Sequence, residues 1–314
     1  MDDQNIVEDL QPSLGKVDIE KLLNEIEHYI SQRAILPKGA STAITLWCIA
    51  TYVMNIFRTF PKVSIFSPEK RCGKSTLLDL IEAFSYKSFI VSNISTAAIF
   101  RIIEECQPTL IIDEADTFVA GGSDAMVGII NSGHTKNRAS VIRCTGDDNK
   151  PKRFSTWTPM VLASIKPLQS TIVDRSIVIQ LRRKTLNEKV KRIEPDLFES
   201  KKSIRQELFK WSMDNMDILR LNPIEPTSLG NDRAVDNWLP LFTIANQVSP
   251  DWLRKCELAY QLLNNYDDEP LQSTLLLEDI RKIFKVNACN NIPSSVLVSK
   301  LSEYEDYPWS QFRK

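Results

Sequence analysis

The sequence predicts an α/β fold: a mostly parallel sheet with helices on both faces, a helical segment before it and a helical lid after it. Three observations predict this. Between Lys62 and Leu181 short apolar β-rich runs alternate with helical ones, and strands joined through helices run parallel and are covered on both faces. On either side of that region the apolar residues recur instead at three- and four-residue steps. The chain has 314 residues, 43% of them hydrophobic, enough for a sizeable core and about two domains.

Taken in order, residues 16–60 read as helical. Val17, Ile19, Leu22, Leu23, Ile26 and Ile30 form one stripe, and Pro37-Lys38-Gly39 breaks that helix from the next. The apolar run Ala43 to Phe57 carries Thr45, Thr51 and Asn55, which makes it short and polar for a membrane span and suits a buried helix. The alternating region then runs KVSIF, a helix from about Lys74, SFIVS, a helix from about Thr96, PTLIID, a helix near Ala125 to Asn131, WTPMVLAS and RSIVIQL. A hairpin, about 139–155, interrupts it, with two β-prone arms around Gly146-Asp147-Asp148-Asn149-Lys150-Pro151. After Arg183 the chain reads as charged and helical to Leu219, breaks at Pro223 and Pro226, and resumes as a helix from Arg233 to Val248. The expected organisation is a helical segment over 1–60, a core over 61–185, a lid over 186–269 and a further helical module over 270–314.

Composition excludes some functions. The net charge of −1 gives no global field for nucleic acid, so such contacts must be local. Six cysteines without C-x-x-C spacing and two distant histidines, His28 and His134, argue against zinc and against a disulfide framework. The polar start MDDQNIVEDLQ does not read as a signal peptide, and a cytoplasmic protein without a membrane partner is expected.

The chemistry lies in two strand ends. In IFSPEKRCGKSTLLDL, Ile65 to Leu80, a strand leads through Gly73-Lys74-Ser75 into a helix, the arrangement of a P-loop with Pro68 where the consensus has its first glycine. Backbone N–H groups over Arg71, Cys72, Gly73, Lys74, Ser75 and Thr76, with the positive end of the helix, suit phosphates. Lys74 supplies a point charge and the Ser75 hydroxyl a magnesium ligand. Gly73 is expected to permit close backbone approach, and Pro68 starts the turn without removing a donor. The second end is LIIDEAD, from Leu110. There Asp113 suits the magnesium shell and Glu114 the polarisation of an attacking water; an exposed helix cap is the competing reading. Asp116 is expected to cap the next helix. The cofactors implied are ATP and Mg2+.

The blocks LWCIATYV, SPEKRCGKSTLLD, LIIDEADTF, LASIKPL, DRSIVIQLRRK and NDRAVDNWLPLFTIA, over about residues 40–250, together resemble a family of phage, plasmid and genomic-island ATPase domains. That family is catalogued as a domain of unknown function and is often associated with primases. The wider likeness is to AAA+ and superfamily 3 helicases, which implies an AAA+-like P-loop fold. It also implies roles for three further residues. Ser164 takes the sensor position, usually an asparagine. Arg175 would project to a neighbouring subunit, against a structural pairing with Asp174. Arg233 is a second sensor on the nucleotide, against a structural role. The hairpin before the sensor strand points into the pore of such rings, where Lys150, Lys152 and Arg153 would meet phosphates, against a reading as a solvated charged turn. The tail from about Pro270 resembles the opening helices of a winged-helix module without its wing strands.

The function expected from these readings is an ATP-hydrolysing, ring-forming motor on DNA, a replicative helicase of a mobile element. Its partners would be further copies in a ring, most simply a hexamer, single-stranded or forked DNA, and a primase. The alternative is an ATP-controlled switch or scaffold in an anti-phage or partner-remodelling assembly.

Overall fold

The computed structural model describes residues 7–67, 71–92, 94–116, 124–145, 150–227, 231–264, 272–287 and 291–302. Pro68 and the hairpin tip 146–149 lie outside the described residues. Residues 1–263 form one contact unit and 264–314 another.

Helix α1 (Ile19–Ser31) starts where the Asp18 carboxylate accepts from the Lys21 N–H at 3.1 Å, and it buries the predicted stripe Ile19, Leu22, Leu23, Ile26 and Ile30. Helix α2 (Ala40–Val53) opens at Gly39, whose φ of 84° favours glycine and whose Cβ would stand 2.8 Å from the Ala259 Cα. Every residue of α2 except Ser41 is buried. Its continuous apolar run therefore marks a helix packed on all sides, with α1 and later helices around it. Among the described residues no helix is long and apolar enough to cross a membrane.

Five strands make one parallel sheet: β1 (Lys62–Phe66), β2 (Ser88–Val91), β3 (Thr109–Ile112), β6 (Met160–Ser164) and β7 (Ser176–Gln180), in the order β2-β3-β6-β1-β7. Helices α3 (Lys74–Phe84), α4 (Thr96–Cys106), α5 (Asp124–Ser132) and the short α6 (Ser170–Val173) connect them. Right-handed crossovers place these helices: β1 to β2 moves one way along the sheet and the other steps move back, so α3 takes one face and α4, α5 and α6 the other. The two cores agree. Val63, Ile65, Val161, Ala163, Ile177 and Ile179 pack with Leu77, Leu78 and Ile81 of α3. Leu110, Ile112, Met160 and Leu162 pack with Ile99, Phe100, Met126, Ile129 and Ile172. In β2, β3 and β6 alternate residues thus feed opposite cores, which is why those strands read as largely apolar runs, whereas β1 and β7 give Val63, Ile65, Ile177 and Ile179 to the α3 side.

This winding reverses at β1 and β6. The chain leaving β1 goes to one face, the chain leaving its neighbour β6 to the other, and a crevice opens between them at the carboxyl ends.

The hairpin is present as an antiparallel pair, β4 (Ser140–Thr145) and β5 (Lys150–Ser155), separate from the main sheet. It rests on α4, with the Phe154 and Phe100 rings 4.6 Å apart and the Ser155 N–H donating to Glu104 Oε2 at 2.7 Å.

The segment expected to be helical from Arg183 differs. Residues 181–196 form a non-helical strap before α7 (Leu197–Ser200) and α8 (Lys202–Leu221). Pro195 disfavours helix at Glu194, and the Glu188 carboxylate accepts from both the Thr185 N–H and hydroxyl, fixing a turn instead. Helices α8, α9 (Asp232–Val248) and α10 (Pro250–Asn264) then pack into the same core as α1, α2 and α3, so the stretch expected as a lid shares the core of the first unit. In the second unit α11 (Gln272–Val286) and α12 (Ser294–Ser302) meet around Ile283 and Leu301.

Candidate functional site

The crevice collects most of the residues singled out from the sequence. Gly73 caps α3 with φ 83° and no side-chain cap bond, and α3 has no acidic residue in its first turn. An uncapped 11-residue helix therefore presents its first N–H groups, those of Lys74, Ser75 and Thr76, at the carboxyl edge. A Cβ at Gly73 would meet nothing within 4 Å, so the backbone conformation, and not the crowding expected from the sequence, is what requires glycine there. Arg71 also has positive φ, 67°. Left-handed residues alternating with ordinary ones turn successive N–H groups toward one point, a concavity suited to an anion. Cys72 between them is buried.

Across β6 stands the end of β3. The Lys74 ammonium lies 3.9 Å from Asp113 Oδ1, with the two side chains 18% and 23% exposed. That distance is electrostatic contact without a hydrogen bond. Glu114 is exposed and held at φ 54°, its N–H bonded to Asp113 Oδ1 at 2.8 Å. A non-glycine residue in that region costs about 1–2 kcal/mol, a strain that clusters at functional turns. Two of the four described non-glycine residues with positive φ, Arg71 and Glu114, thus sit on this edge.

Two residues join the site that the sequence reading had missed or placed otherwise. Asp116 was expected as a helix cap. Its Oδ2 instead accepts from the Ile165 N–H at 3.2 Å, tying the turn after β3 to the end of β6, while its buried Oδ1 has no hydrogen-bond partner. Asp79 stands four residues after Ser75 on the same face of α3. Burial raises the Asp79 carboxyl, and the charge of Asp113 adds to the rise. That i, i+4 spacing was the available signal.

Ser164 ends β6 between the two motifs, as expected, but it is fully buried and its hydroxyl donates to the Lys166 carbonyl at 2.6 Å. Its single proton is committed to the backbone, so it braces the edge in this state, and its carbonyl accepts from Ser67 N at 3.3 Å.

Arg175 and Arg233 lie elsewhere. Arg175 precedes β7, whose first residue pairs with Lys62, the first of β1. Four strand rises, about 13 Å, separate that amino edge from the loop leaving β1. Arg175 donates to the Thr171 carbonyl at 2.6 Å, and its guanidinium is held low by burial and by Arg233. Arg233, in the first turn of α9, is 3.5 Å from Asp174. Arg233, expected as a second sensor on the nucleotide against a structural role, is held by the Asn231 cap of α9 and by Asp174 at the amino edge, away from the loop before α3. Beneath the pair, His134 donates to Asn237 Oδ1 at 2.8 Å and is pushed down to about 4 by burial. Lys62, 1% exposed, is pushed down to about 7 by burial and next by Arg175.

The hairpin cations divide by the pleat. Paired residues share a face, so Lys150, Lys152 and their cross-strand neighbour Arg143 lie on the face of Phe154, whereas Arg153 lies opposite with Ile142, which is 66% exposed. The expected cluster of Lys150, Lys152 and Arg153 is two sets. Arg143, which the sequence reading did not single out, belongs with the first.

A family model described as a protein of unknown function (DUF3631) matches residues 180–314, from the last residue of β7 onward. The match overlaps the stretch of the expected resemblance over 180–250, including NDRAVDNWLPLFTIA, while the loop and the acidic strand end lie outside it. No curated protein matches the chain. Two solved structures align with it, both titled as the A form apo structure of the NrS-1 C-terminal region. For that of residues 305–718, identity is 14% and the TM-score 0.35, with 64% of this chain and 46% of that one covered. For the other, the values are 13%, 0.43, 90% and 62%. This chain thus spans less than two thirds of either.

Proposed function

We propose that the chain binds ATP with Mg2+ in the crevice between β1 and β6, hydrolyses it, and assembles as a ring, a hexamer, that works as a motor on DNA in replication of a mobile element. The observation that carries this reading is the approach of Lys74 to Asp113 across β6, beside an uncapped helix N-terminus, where the winding of the sheet reverses. A triphosphate needs donors and a cation; a hard divalent metal needs carboxylate and hydroxyl oxygens. The edge offers both sets within one turn of α3 and two residues of the turn after β3.

In this reading the N–H groups of Gly73 to Thr76 and the Lys74 ammonium receive phosphate oxygens. Ser75 and Asp113 hold the metal, which when bound neutralises charge on the outer phosphates. Glu114, exposed at the crevice, orients the attacking water and takes its proton. Arg175, about 13 Å from its own loop, serves a neighbouring copy's phosphates. Lys150, Lys152 and Arg143, which share one face of the hairpin, contact the DNA backbone, with Arg153 on the other face, and a primase is the natural working partner.

The test is hydrolysis by wild-type protein with and without single-stranded DNA. Stimulation of several-fold, with ring formation by sedimentation in ATP, is the expected result. Hydrolysis that ignores DNA would replace the motor with the switch.

A further inference from the structure

The strap over residues 182–192, RRKTLNEKVKR, carries six cations against one acid. That local excess of five positive charges stands in a chain of net charge −1. All six cations are exposed.

A solvated coil would explain the charge alone, but the strap is built. Its first end is pinned where the Leu181 N–H donates to the Phe66 carbonyl at 2.9 Å, and its second where the Lys191 N–H donates to the Gln32 carbonyl at 2.9 Å. Between them Glu188 closes the turn on Thr185 and receives both terminal nitrogens of Arg182, at 2.8 and 2.5 Å. The one acid of the strap is thereby spent on Arg182. Glu194, the next acid along, is exposed and is paired with Arg33 and the Tyr29 hydroxyl. Among the described residues Arg183, Lys184, Lys189, Lys191 and Arg192 form no ion pair.

We propose that this strap is a docking surface for the phosphate backbone of single-stranded nucleic acid. Five unneutralised cations on an ordered, exposed ribbon match a polyanion, and the absence of any aromatic residue from 182 to 192 gives the strap no platform for stacking a base. Recognition is therefore by charge, independent of base sequence and strongly dependent on salt. Only Leu186 stands out as an exposed large apolar side chain, too little to anchor the strap in a lipid surface. Because Leu181 bonds to the residue that ends β1, the ribbon leaves the sheet at the same edge as the loop before α3. A bound strand would run beside the crevice, on a surface separate from the hairpin.

The test is a fluorescence-anisotropy titration of a labelled 30-nucleotide single strand, without any nucleotide, from 50 to 300 mM salt. It compares wild type, the triple Lys189→Gln, Lys191→Gln, Arg192→Gln, and the charge-keeping double Lys189→Arg, Lys191→Arg. The triple is expected to lose about tenfold at low salt and to flatten the salt slope by about 2, three contacts at roughly 0.7 each. The double should match wild type. Unchanged affinity and slope in the triple would overturn the proposal, as would a wild-type protein that binds anionic lipid vesicles but not the oligonucleotide. Since no ATP enters the titration, failure of the nucleotide reading leaves this result intact, and unaltered basal ATP hydrolysis in the triple separates the two.

Discussion

Glu114→Gln is expected to bind ATP as tightly as the wild-type protein and to hydrolyse it at least about a hundredfold more slowly, the scale of loss for a positioned general base. Glu114 is exposed, held in the left-handed region, and follows Asp113 directly on the turn after β3. The amide replacement keeps size and polarity, removes the charge that takes a proton, and leaves the Lys74 and Asp113 contact as it is. Single-turnover hydrolysis alongside an equilibrium nucleotide titration separates the two effects. Turnover close to wild type would move the base to another carboxylate, and Asp79 would be next, because burial and Asp113 already raise it.

The second large effect is a rescue. Arg175→Ala alone and Glu114→Gln alone are each expected to be inactive, yet a mixture of the two should regain a substantial fraction of hydrolysis. Arg175 lies at the amino edge of the sheet, across the strand length from its own crevice, so a role on phosphates would have to be on those of another copy. Under the proposed assembly, mixed rings would contain interfaces in which an intact Glu114 faces an intact Arg175. Arg233, 3.5 Å from Asp174 on the same edge, is placed to orient this surface. A purely structural arginine, satisfied by the Thr171 carbonyl, would give no rescue at any mixing ratio. No recovery at concentrations that demonstrably form rings would remove the trans role.

The residues explain which parts of this protein could be read in advance. The central strands were legible because both faces of the sheet are covered there: in β6 Val161 and Ala163 feed one core, Met160 and Leu162 the other, and the strand becomes an apolar run. Helix α2 was legible for the same reason, being buried on every side. The strap was misread because its lysines and arginines are good helix formers, and the Thr185–Glu188 turn outweighs that local preference. At the site, Lys74, Ser75, Asp113 and Glu114 were readable because adjacent residues at two strand ends carry them. What local sequence could not give was which edge a distant residue occupies or where a hydroxyl points. Arg233 is fixed by Asp174, which is 59 positions earlier, and Ser164 spends its proton on Lys166. The split of the hairpin cations follows from the period-two pleat and could have been drawn from register alone.

The central claim, that the β1/β6 crevice holds a triphosphate, is tested most directly by the heat of binding of ATP with Mg2+ to wild-type protein and to Lys74→Ala. Wild type should bind one nucleotide per chain. Removing the ammonium that stands 3.9 Å from Asp113 takes away the phosphate charge and leaves a carboxylate repelling the triphosphate, so the variant should lose about a hundredfold in affinity or more while keeping its fold. Equal binding by the two proteins, or no heat from the wild type at millimolar ATP, would contradict the account.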